Sequence, residues 1–133
     1  MPEDRKYDRI LVDAPCSGEG DKFYRNFESA AEEEIEGLAK LQKQLLSKAI
    51  DLLKEGGVLV YSTCTISPKE NEAVVEHGLE QGLDIEGFEP GFEYAGGVKE
   101  FQDTVYPEEV EKAVRVYPHH IDSGVIFVAK FRK

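Results

Sequence analysis

Apolar residues along the chain follow two different spacings. Residues 10–12 and 58–60 are unbroken apolar runs, which predict strands at about 7–13 and 58–62 that are buried on both faces. Between them, apolar residues recur at steps of three and four positions over residues 30–54, which predicts one long amphipathic helix that stops at Gly56 and Gly57. A strand, a helix and a strand with short joints predict a βαβ unit with two parallel strands.

A second helix is predicted shortly after the second strand. Ser67 suits the N-cap, Pro68 the first helical position and Glu70 the reciprocal half of a capping box, so we expect a helix that continues to about Gln81. Further strands are predicted near residues 83–88, 113–117 and 124–131. Residues 89–112 are rich in glycine, proline and acidic residues, and this composition predicts a long irregular excursion.

The two cysteines each follow one of the predicted parallel strands. Cys16 lies in the Pro-Cys-Ser-Gly turn after the first strand, and Cys64 lies at the end of the second. Ligands of open α/β sheets bind outside the carboxyl ends of the strands, and neighbouring strands are about 4.8 Å apart. We therefore expect both thiols to contact one small substrate. Asp13 should lie beside them and accept a hydrogen bond from an amine or a protonated ring nitrogen of that substrate.

Local features of the two turns favour Cys64 as the nucleophile. A thiol near a helix N-terminus gains thiolate character, and Cys64 precedes the helix predicted to open at Ser67. Pro15 stiffens the first turn, and Gly18 permits close approach of a ligand. Each cysteine taken singly also suits a small buried residue, and the two together suit a redox pair. A metal site is not indicated, because CxxC and HxxxH spacings are missing and the three histidines are scattered.

Composition limits where the chain acts and how it binds its partners. A chain of 133 residues with 41% hydrophobic and 32% charged residues is typical of one globular domain. A net charge of −11 excludes binding of nucleic acid by bulk attraction, because phosphate contacts draw on Lys and Arg. Two cysteines without a disulfide framework, no apolar leader and no membrane-length apolar run predict a reduced, cytoplasmic protein that does not bind membranes.

Two motifs resemble those of one enzyme family. Residues 13–18, Asp-Ala-Pro-Cys-Ser-Gly, resemble the fourth motif of the Fmu/Sun (Nop/Sun-type) RNA cytosine-5 methyltransferases, and residues 61–65, Tyr-Ser-Thr-Cys-Thr, resemble the sixth. Residues 41–46, 70–72 and 117–119 support the resemblance, which covers nearly the whole chain apart from residues 89–112.

The resemblance implies a fold, a reaction and roles for individual residues. It implies an α/β, Rossmann-like class I methyltransferase sheet of which only the fourth and later strands are present, with a partly antiparallel C-terminal end. The reaction would transfer a methyl group from S-adenosylmethionine to carbon 5 of cytosine in rRNA or tRNA. Cys64 would be the nucleophile that adds to carbon 6, Cys16 would assist product release, and Asp13 would hold the cytosine edge.

The remaining binding residues are predicted from the same motifs and from the loop between them. We expect substrate contacts from Ser17, Gly18, Arg25 and His119, and cofactor contacts from Asp13, Ala14 and Pro15. Arg25 stands among aromatic residues that can stack on bases, and the same loop equally suits aromatic residues packed on the domain.

One departure from the family concerns the cofactor loop. The glycine-rich loop that such enzymes place after their first strand has no counterpart before Tyr7, so we expect residues 1–133 to be the C-terminal half of a catalytic domain. The strand at residues 7–13 would then be an open edge that pairs with a second copy or with a partner chain. Two alternatives stay open: a non-catalytic RNA-accessory or assembly module that retains the fold, and a thiol-dependent redox protein.

Overall fold

A βαβ unit opens the fold. The computed structural model describes residues 4–18, 32–120 and 124–133. Strand β1 (Tyr7–Asp13) runs parallel to β2 (Leu53–Thr63), and helix α1 (Glu32–Leu52) lies between them in the chain. Asp13 is level with Ser62 in the β1–β2 register, so both strands end at the same edge of the sheet. The predicted parallel pair is confirmed.

The later strands extend the sheet in the antiparallel sense. The order is β1-β2-β8-β7-β4, where β7 is Val114–Val116, β8 is Ile126–Arg132 and β4 is Ala95–Gly96. β2, β7 and the short β3 (Asp84–Glu86) all pair antiparallel with β8. The predicted α/β class with a partly antiparallel C-terminal end is therefore confirmed.

Helix α2 begins later than the capping pattern predicts. It spans Glu72–Glu80, and residues 67–71 form turns in which the N–H of Glu70 donates to the carbonyl of Ser67 at 3.1 Å. The predicted capping box is wrong, because the Ser67 N–H donates to Thr65 Oγ1 at 3.2 Å while the Glu70 carboxylate accepts hydrogen bonds from Ser17. Helix α2 therefore begins four residues after Pro68, the predicted first helical position.

Strand β2 is longer than predicted because Gly56 and Gly57 lie within it. The helix ends at Leu52 and the strand begins at once at Leu53. Gly56 has φ +76°, a conformation that favours glycine, and its N–H donates to the carbonyl of Lys133 at 2.9 Å. The N–H of Lys133 donates in turn to the carbonyl of Gly57 at 3.0 Å. These hydrogen bonds to Lys133 thus keep Gly56 and Gly57 within strand β2, although their sequence predicts a break in regular structure.

Residues 89–112 form an excursion of short elements rather than one irregular loop. After β4 the chain makes a hairpin from β5 (Glu100–Phe101) and β6 (Thr104–Val105), followed by a 3-10 helix at Glu108–Lys112. Gln102 at the hairpin turn has φ 53°, in the left-handed region. The excursion closes over the core, since Val110 at its end is fully buried.

The core lies between the sheet and the two helices. Its fully buried members include Leu46 from α1, Val74 from α2, Tyr61 from β2 and Phe127 from β8. The prediction that β1 is covered on both faces is wrong, because Leu11 is 67% exposed whereas its neighbours Ile10 and Val12 pack against the core. In the described part of the chain β1 is the edge strand of the sheet, and the face of β1 that carries Leu11 is not covered.

None of the helices in the described ranges is both long and apolar enough to cross a membrane.

Candidate active site at the carboxyl ends of β1 and β2

The two cysteines meet where the parallel strands end. Cys16 Sγ lies 2.8 Å from Cys64 Sγ, and either sulfur can be the donor of this contact. The backbone N–H of Cys64 also donates to Cys16 Sγ at 3.3 Å. Cys64 is exposed, and Cys16 is half-buried behind it. Of the two cysteines, Cys64 is therefore the more accessible to solvent at this edge.

Asp13 presents a carboxylate on the same edge. It is the last residue of β1, it is exposed, and its Oδ1 accepts a hydrogen bond from Ser62 Oγ at 2.9 Å. The N–H of Ala14 donates to the carbonyl of Ser62 at 3.0 Å, so the ladder between the strands continues to the residue after Asp13. Ala14 is buried and Pro15 is exposed. The strand pairing thus fixes Asp13 beside the cysteine turns.

Ser17 and Gly18 complete the first turn. Ser17 is buried, its N–H donates to Glu70 Oε1 at 2.8 Å, and its hydroxyl donates to Glu70 Oε2 at 2.6 Å. Gly18 has φ +66°, a backbone conformation in which a residue with a side chain would be strained. The predicted substrate contacts of these two residues remain predictions, and in the structure Ser17 supports the turn from below.

Three consecutive buried polar residues, Glu70, Asn71 and Glu72, lie beneath the site; we call them the buried polar triplet. Asn71 accepts a hydrogen bond from Thr63 Oγ1 at 2.5 Å and donates to the carbonyl of Thr65 at 2.8 Å, which holds the loop on both sides of Cys64. Each polar group of the triplet therefore has a partner on a neighbouring element, as buried polar groups require.

Glu72 and Arg115 form a buried ion pair beside the Cys64 loop. The Arg115 guanidinium contacts both oxygens of Glu72, donates to the carbonyl of Ile66 at 3.0 Å, and lies over the ring of Phe127. Burial raises the pKa of Glu72, and the guanidinium of Arg115 opposes that rise. The pair ties strand β7 to the start of α2.

Tyr61 anchors the triplet from the middle of the sheet. Its hydroxyl donates to the backbone carbonyl of Glu70 at 2.6 Å. Burial raises the pKa of the Tyr61 hydroxyl, and the neighbouring Glu70 carboxylate raises it further. The hydroxyl consequently stays protonated and keeps its role as a donor.

His119 lies near the same edge, in an aromatic cluster after β7. Because Val116 pairs with Ile126 and Thr63 with Phe127, β7 and β2 both end at the edge where β8 begins. His119 is exposed and stacks on Tyr117 with ring centroids 5.6 Å apart. Arg25 lies outside the described residues.

A cleft of about 480 Å³ opens beside the loop that follows Cys64. Its walls include Ser67, Lys69, Phe101 and Tyr117. Another groove, of about 700 Å³, runs between α1 and α2, and neither cysteine lines this groove or the cleft. Within residues 4–18, 32–120 and 124–133, no group of three or more His, Cys, Asp or Glu side chains could hold a metal ion.

Comparison with known proteins identifies the family of this fold and site. The sequence profile of the 16S rRNA methyltransferase RsmB/F family matches residues 1–132. The chain belongs to that family. The tRNA (cytosine(49)-C(5))-methyltransferase of Pyrococcus abyssi is 39% identical over 131 residues, which is 96% of this chain and 42% of that protein.

Solved structures agree with the assignment to the RsmB/F family. A methyltransferase homologue from Pyrococcus horikoshii is 33% identical, with a TM-score of 0.83 over 97% of this chain and 40% of that one. The crystal structure of NSun6 from Pyrococcus horikoshii with SFG is 36% identical, with a TM-score of 0.81 over 97% of this chain and 30% of that one. The chain thus spans less than half the length of these relatives, and the predicted resemblance to RNA cytosine-5 methyltransferases and the Rossmann-like fold are confirmed.

Several supporting residues of this RsmB/F site are not predicted from the sequence. The sequence pattern places Glu70 in a helix cap and predicts no role in the site for Gln42 or Arg115. Arg115 did carry a signal, because a charged residue between Val114 and Val116 interrupts an apolar strand and calls for a buried partner. Gln42 likewise lies on the buried face of α1, where a polar side chain needs a partner.

Proposed function

We propose that this chain is part of the catalytic domain of an S-adenosylmethionine-dependent RNA (cytosine-5) methyltransferase, with Cys64, Cys16 and Asp13 as its catalytic residues. The observation that carries the proposal is the 2.8 Å contact between the Cys16 and Cys64 sulfurs at the carboxyl ends of two adjacent parallel strands. Membership of the RsmB/F family supports the reaction class.

Cys64 is the proposed nucleophile because it is the exposed cysteine of the pair. Its thiolate forms a bond to carbon 6 of cytosine, and the electrons of the 5,6 double bond move to carbon 5, which takes the methyl group. Carbon 5 then loses its proton to a base, with the assistance of Cys16, the double bond re-forms, and the bond between carbon 6 and sulfur breaks to return the thiolate. Covalent addition divides one difficult substitution into easier steps.

Cys16 and Asp13 assist the steps on either side of methyl transfer. Cys16 is in contact with Cys64 and supports loss of the carbon-5 proton and elimination of the enzyme sulfur. Asp13, exposed on the same edge, accepts a hydrogen bond from the cytosine edge and stabilises the protonated adduct. Ser62 orients this carboxylate through its hydrogen bond to Oδ1.

Asp13, Ala14 and Pro15 would form one wall of the S-adenosylmethionine site. S-adenosylmethionine supplies the methyl group when it is bound. The residues present fit such a wall, because an exposed carboxylate and an exposed proline stand at the carboxyl edge of the sheet, where ligands of α/β folds bind. The carboxylate is an acceptor suited to a cationic ligand.

The substrate class is RNA, either rRNA or tRNA. The family is that of the 16S rRNA methyltransferases RsmB/F, and the Pyrococcus abyssi relative is a tRNA methyltransferase. With a net charge of −11, the chain would receive RNA at its catalytic edge while other basic surfaces hold the RNA backbone.

We also propose a cytoplasmic location, because a reducing compartment keeps two neighbouring thiols reduced. The open edge of β1 would pair with a second copy of the chain or with a partner chain.

The test grafts this chain into its Pyrococcus abyssi relative. Replacing the 131 matched residues with this chain supplies the remainder of a methyltransferase, and tRNA containing 5-azacytidine traps the enzyme after addition. We expect a covalent protein–RNA adduct that disappears in Cys64→Ala. With ordinary tRNA, Cys16→Ala should accumulate the adduct, because addition proceeds and release fails. A folded chimera that binds tRNA and forms no adduct would favour the accessory-module alternative.

The thiol contact also favours a second candidate, a redox protein. Thiols 2.8 Å apart can be oxidised to a disulfide with little rearrangement. This candidate predicts that mild oxidation gives a disulfide that a cellular reductant reopens rapidly, with no RNA adduct in the chimera. The adduct assay therefore separates the two functions.

A further inference from the structure

The carboxylate of Glu70 is buried directly beneath both cysteine turns. Its side chain has no exposed surface. In addition to the two hydrogen bonds from Ser17, Glu70 Oε2 accepts one from Thr65 Oγ1 at 3.2 Å. The hydroxyls of Ser17 and Thr65 are themselves 3.1 Å apart. One carboxylate oxygen thus contacts both turns.

The residues that Glu70 contacts occupy equivalent positions in the two turns. Ser17 directly follows Cys16, and Thr65 directly follows Cys64. Each hydrogen bond therefore acts one residue away from a reacting sulfur. A displacement of either turn relative to the other would have to break contacts with this single carboxylate.

Gln42 reinforces the same arrangement from helix α1. Its Nε2 donates to Glu70 Oε1 at 3.1 Å and to the carbonyl of Pro15 at 2.8 Å. Pro15 precedes Cys16 and Ser17 follows it, so the Gln42–Glu70 pair holds the backbone on both sides of that cysteine. Gln42 is also fully buried, so water does not compete for these bonds.

Strand pairing alone does not bring the sulfurs together. The β1–β2 register ends at Asp13 and Ser62, before either cysteine is reached. Beyond Asp13 and Ser62, the Ala14 N–H still donates to the carbonyl of Ser62 and the Cys64 N–H donates to Cys16 Sγ, while Glu70 joins the residues that follow the two cysteines. A fully buried carboxylate costs free energy to desolvate, and here its hydrogen bonds offset that cost.

We propose that Glu70 is a positioning residue that holds Cys16 in contact with Cys64 by binding the residue that follows each cysteine. The catalytic meaning of this role rests on the proposed function, since it is methyl transfer that needs both sulfurs at one cytosine. The positioning itself can be measured in the isolated chain, with neither RNA nor methyl donor.

The measurement is a redox titration of the purified chain with reduced and oxidised glutathione. Oxidised glutathione takes two electrons from the Cys16 and Cys64 thiols, which lose their protons and form one disulfide, and two molecules of reduced glutathione are released. The equilibrium gives the effective concentration of one thiol at the other. We expect Glu70→Ala to lower it by at least about tenfold, because misplacement of paired groups by about 1 Å is costly. Glu70→Gln, of nearly the same size, should give a smaller decrease.

Two matched variants separate positioning from loss of stability. Glu72→Ala removes another buried carboxylate from the same triplet, but its partner is Arg115 and it contacts neither cysteine turn. We expect it to lower the thermal midpoint while leaving the effective concentration unchanged. Glu80→Ala, on the exposed end of α2, should change neither quantity.

The proposal would be overturned if both Glu70 variants titrate like the unaltered chain. It would also fail if Glu72→Ala lowers the effective concentration as much as Glu70→Ala, since general loosening would then explain the effect. If Glu70→Ala does not fold, the comparison is made with Glu70→Gln. In the chimera, Glu70→Gln should lower kcat and leave KM for tRNA unchanged. An unaltered chimera that forms no adduct would contradict the proposed function while leaving the thiol titration intact.

Discussion

Glutamates in two regions of this molecule form ion pairs in opposite surroundings. Glu72 in the buried polar triplet contacts Arg115, and the two side chains are 0% and 3% exposed. Glu86 on β3 contacts Arg132 and Lys130 on β8, and all three side chains are about one third to one half exposed. In both regions a glutamate carboxylate contacts basic side chains, but the first ion pair is buried in the core and the second lies at the surface in contact with water.

The difference indicates which ion pairs the fold depends on. Exposed pairs gain little, because water and salt screen the charges and the side chains lose freedom. A buried pair stabilises little in total, since desolvation consumes most of the attraction, but removal of one partner leaves an uncompensated charge in the core. Removal of one partner from the buried pair should therefore greatly lower the free energy of unfolding, whereas removal of one partner from the exposed pair should hardly change it.

The largest effect is expected from Arg115→Met. It leaves Glu72 buried without its cation and removes the donor to the carbonyl of Ile66, so we expect a loss of about 3–5 kcal/mol in the free energy of unfolding. Urea unfolding followed by circular dichroism measures it. Arg132→Met is the exposed counterpart and should shift the midpoint only slightly. Equal losses for the two variants would contradict the comparison.

A smaller loss is expected from Asn71→Ala. Asn71 makes no ion pair, but its removal leaves the carbonyl of Thr65 and the hydroxyl of Thr63 without their partner, which should cost about 1–3 kcal/mol. Urea unfolding again gives the value. Asn71→Asp keeps an acceptor for Thr63 and serves as a partial control. A neutral Asn71→Ala would mean that water enters the space and replaces both bonds.

The double variant Glu72→Met with Arg115→Met should be far less damaging than Arg115→Met alone. With both charges gone, the core contains no unpaired ion, and apolar side chains of similar volume can pack in their place. A double-mutant cycle in urea measures the coupling between the two positions. If the loss of unfolding free energy in the double variant equals the sum of the losses in the two single variants, the charges do not interact and the comparison fails.

The smallest effect concerns Glu86 and pH. Hydrogen bonds from Arg132 and Lys130 lower the pKa of Glu86 below its ordinary value of 4.5. A lowered pKa in the folded state contributes stability that is present above the ordinary pKa and is lost as pH falls through the folded pKa. Glu86→Gln should remove a slight part of the acid dependence of unfolding, and added salt should remove it too. A large change would show that this exposed pair behaves like the buried one.

Much of the site follows from local patterns in the chain. Two apolar runs predict β1 and β2, the helix between them makes the strands parallel, and their carboxyl ends then bring Cys16 and Cys64 to one edge. The boundaries of helices and strands are less predictable from sequence. Gly56 and Gly57 predict the end of a regular element, but hydrogen bonds to Lys133 keep both glycines within β2. The Ser-Pro-Lys-Glu spacing likewise fits a capping box, whereas the Glu70 carboxylate accepts hydrogen bonds from Ser17 and Thr65, one of which is distant in the chain.

The sequence by itself determined the class of the fold, the pairing of the two parallel strands, the edge at which the thiols lie, and the family. These depend on periodicity and on short motifs, which are read within a few neighbouring residues. Tertiary structure decided which side chains support the thiols: Glu70 with Ser17 and Thr65, Gln42 with Pro15, and Glu72 with Arg115. Such partners are distant in the chain, and burial selects among many polar groups the few that can satisfy one another once water is excluded.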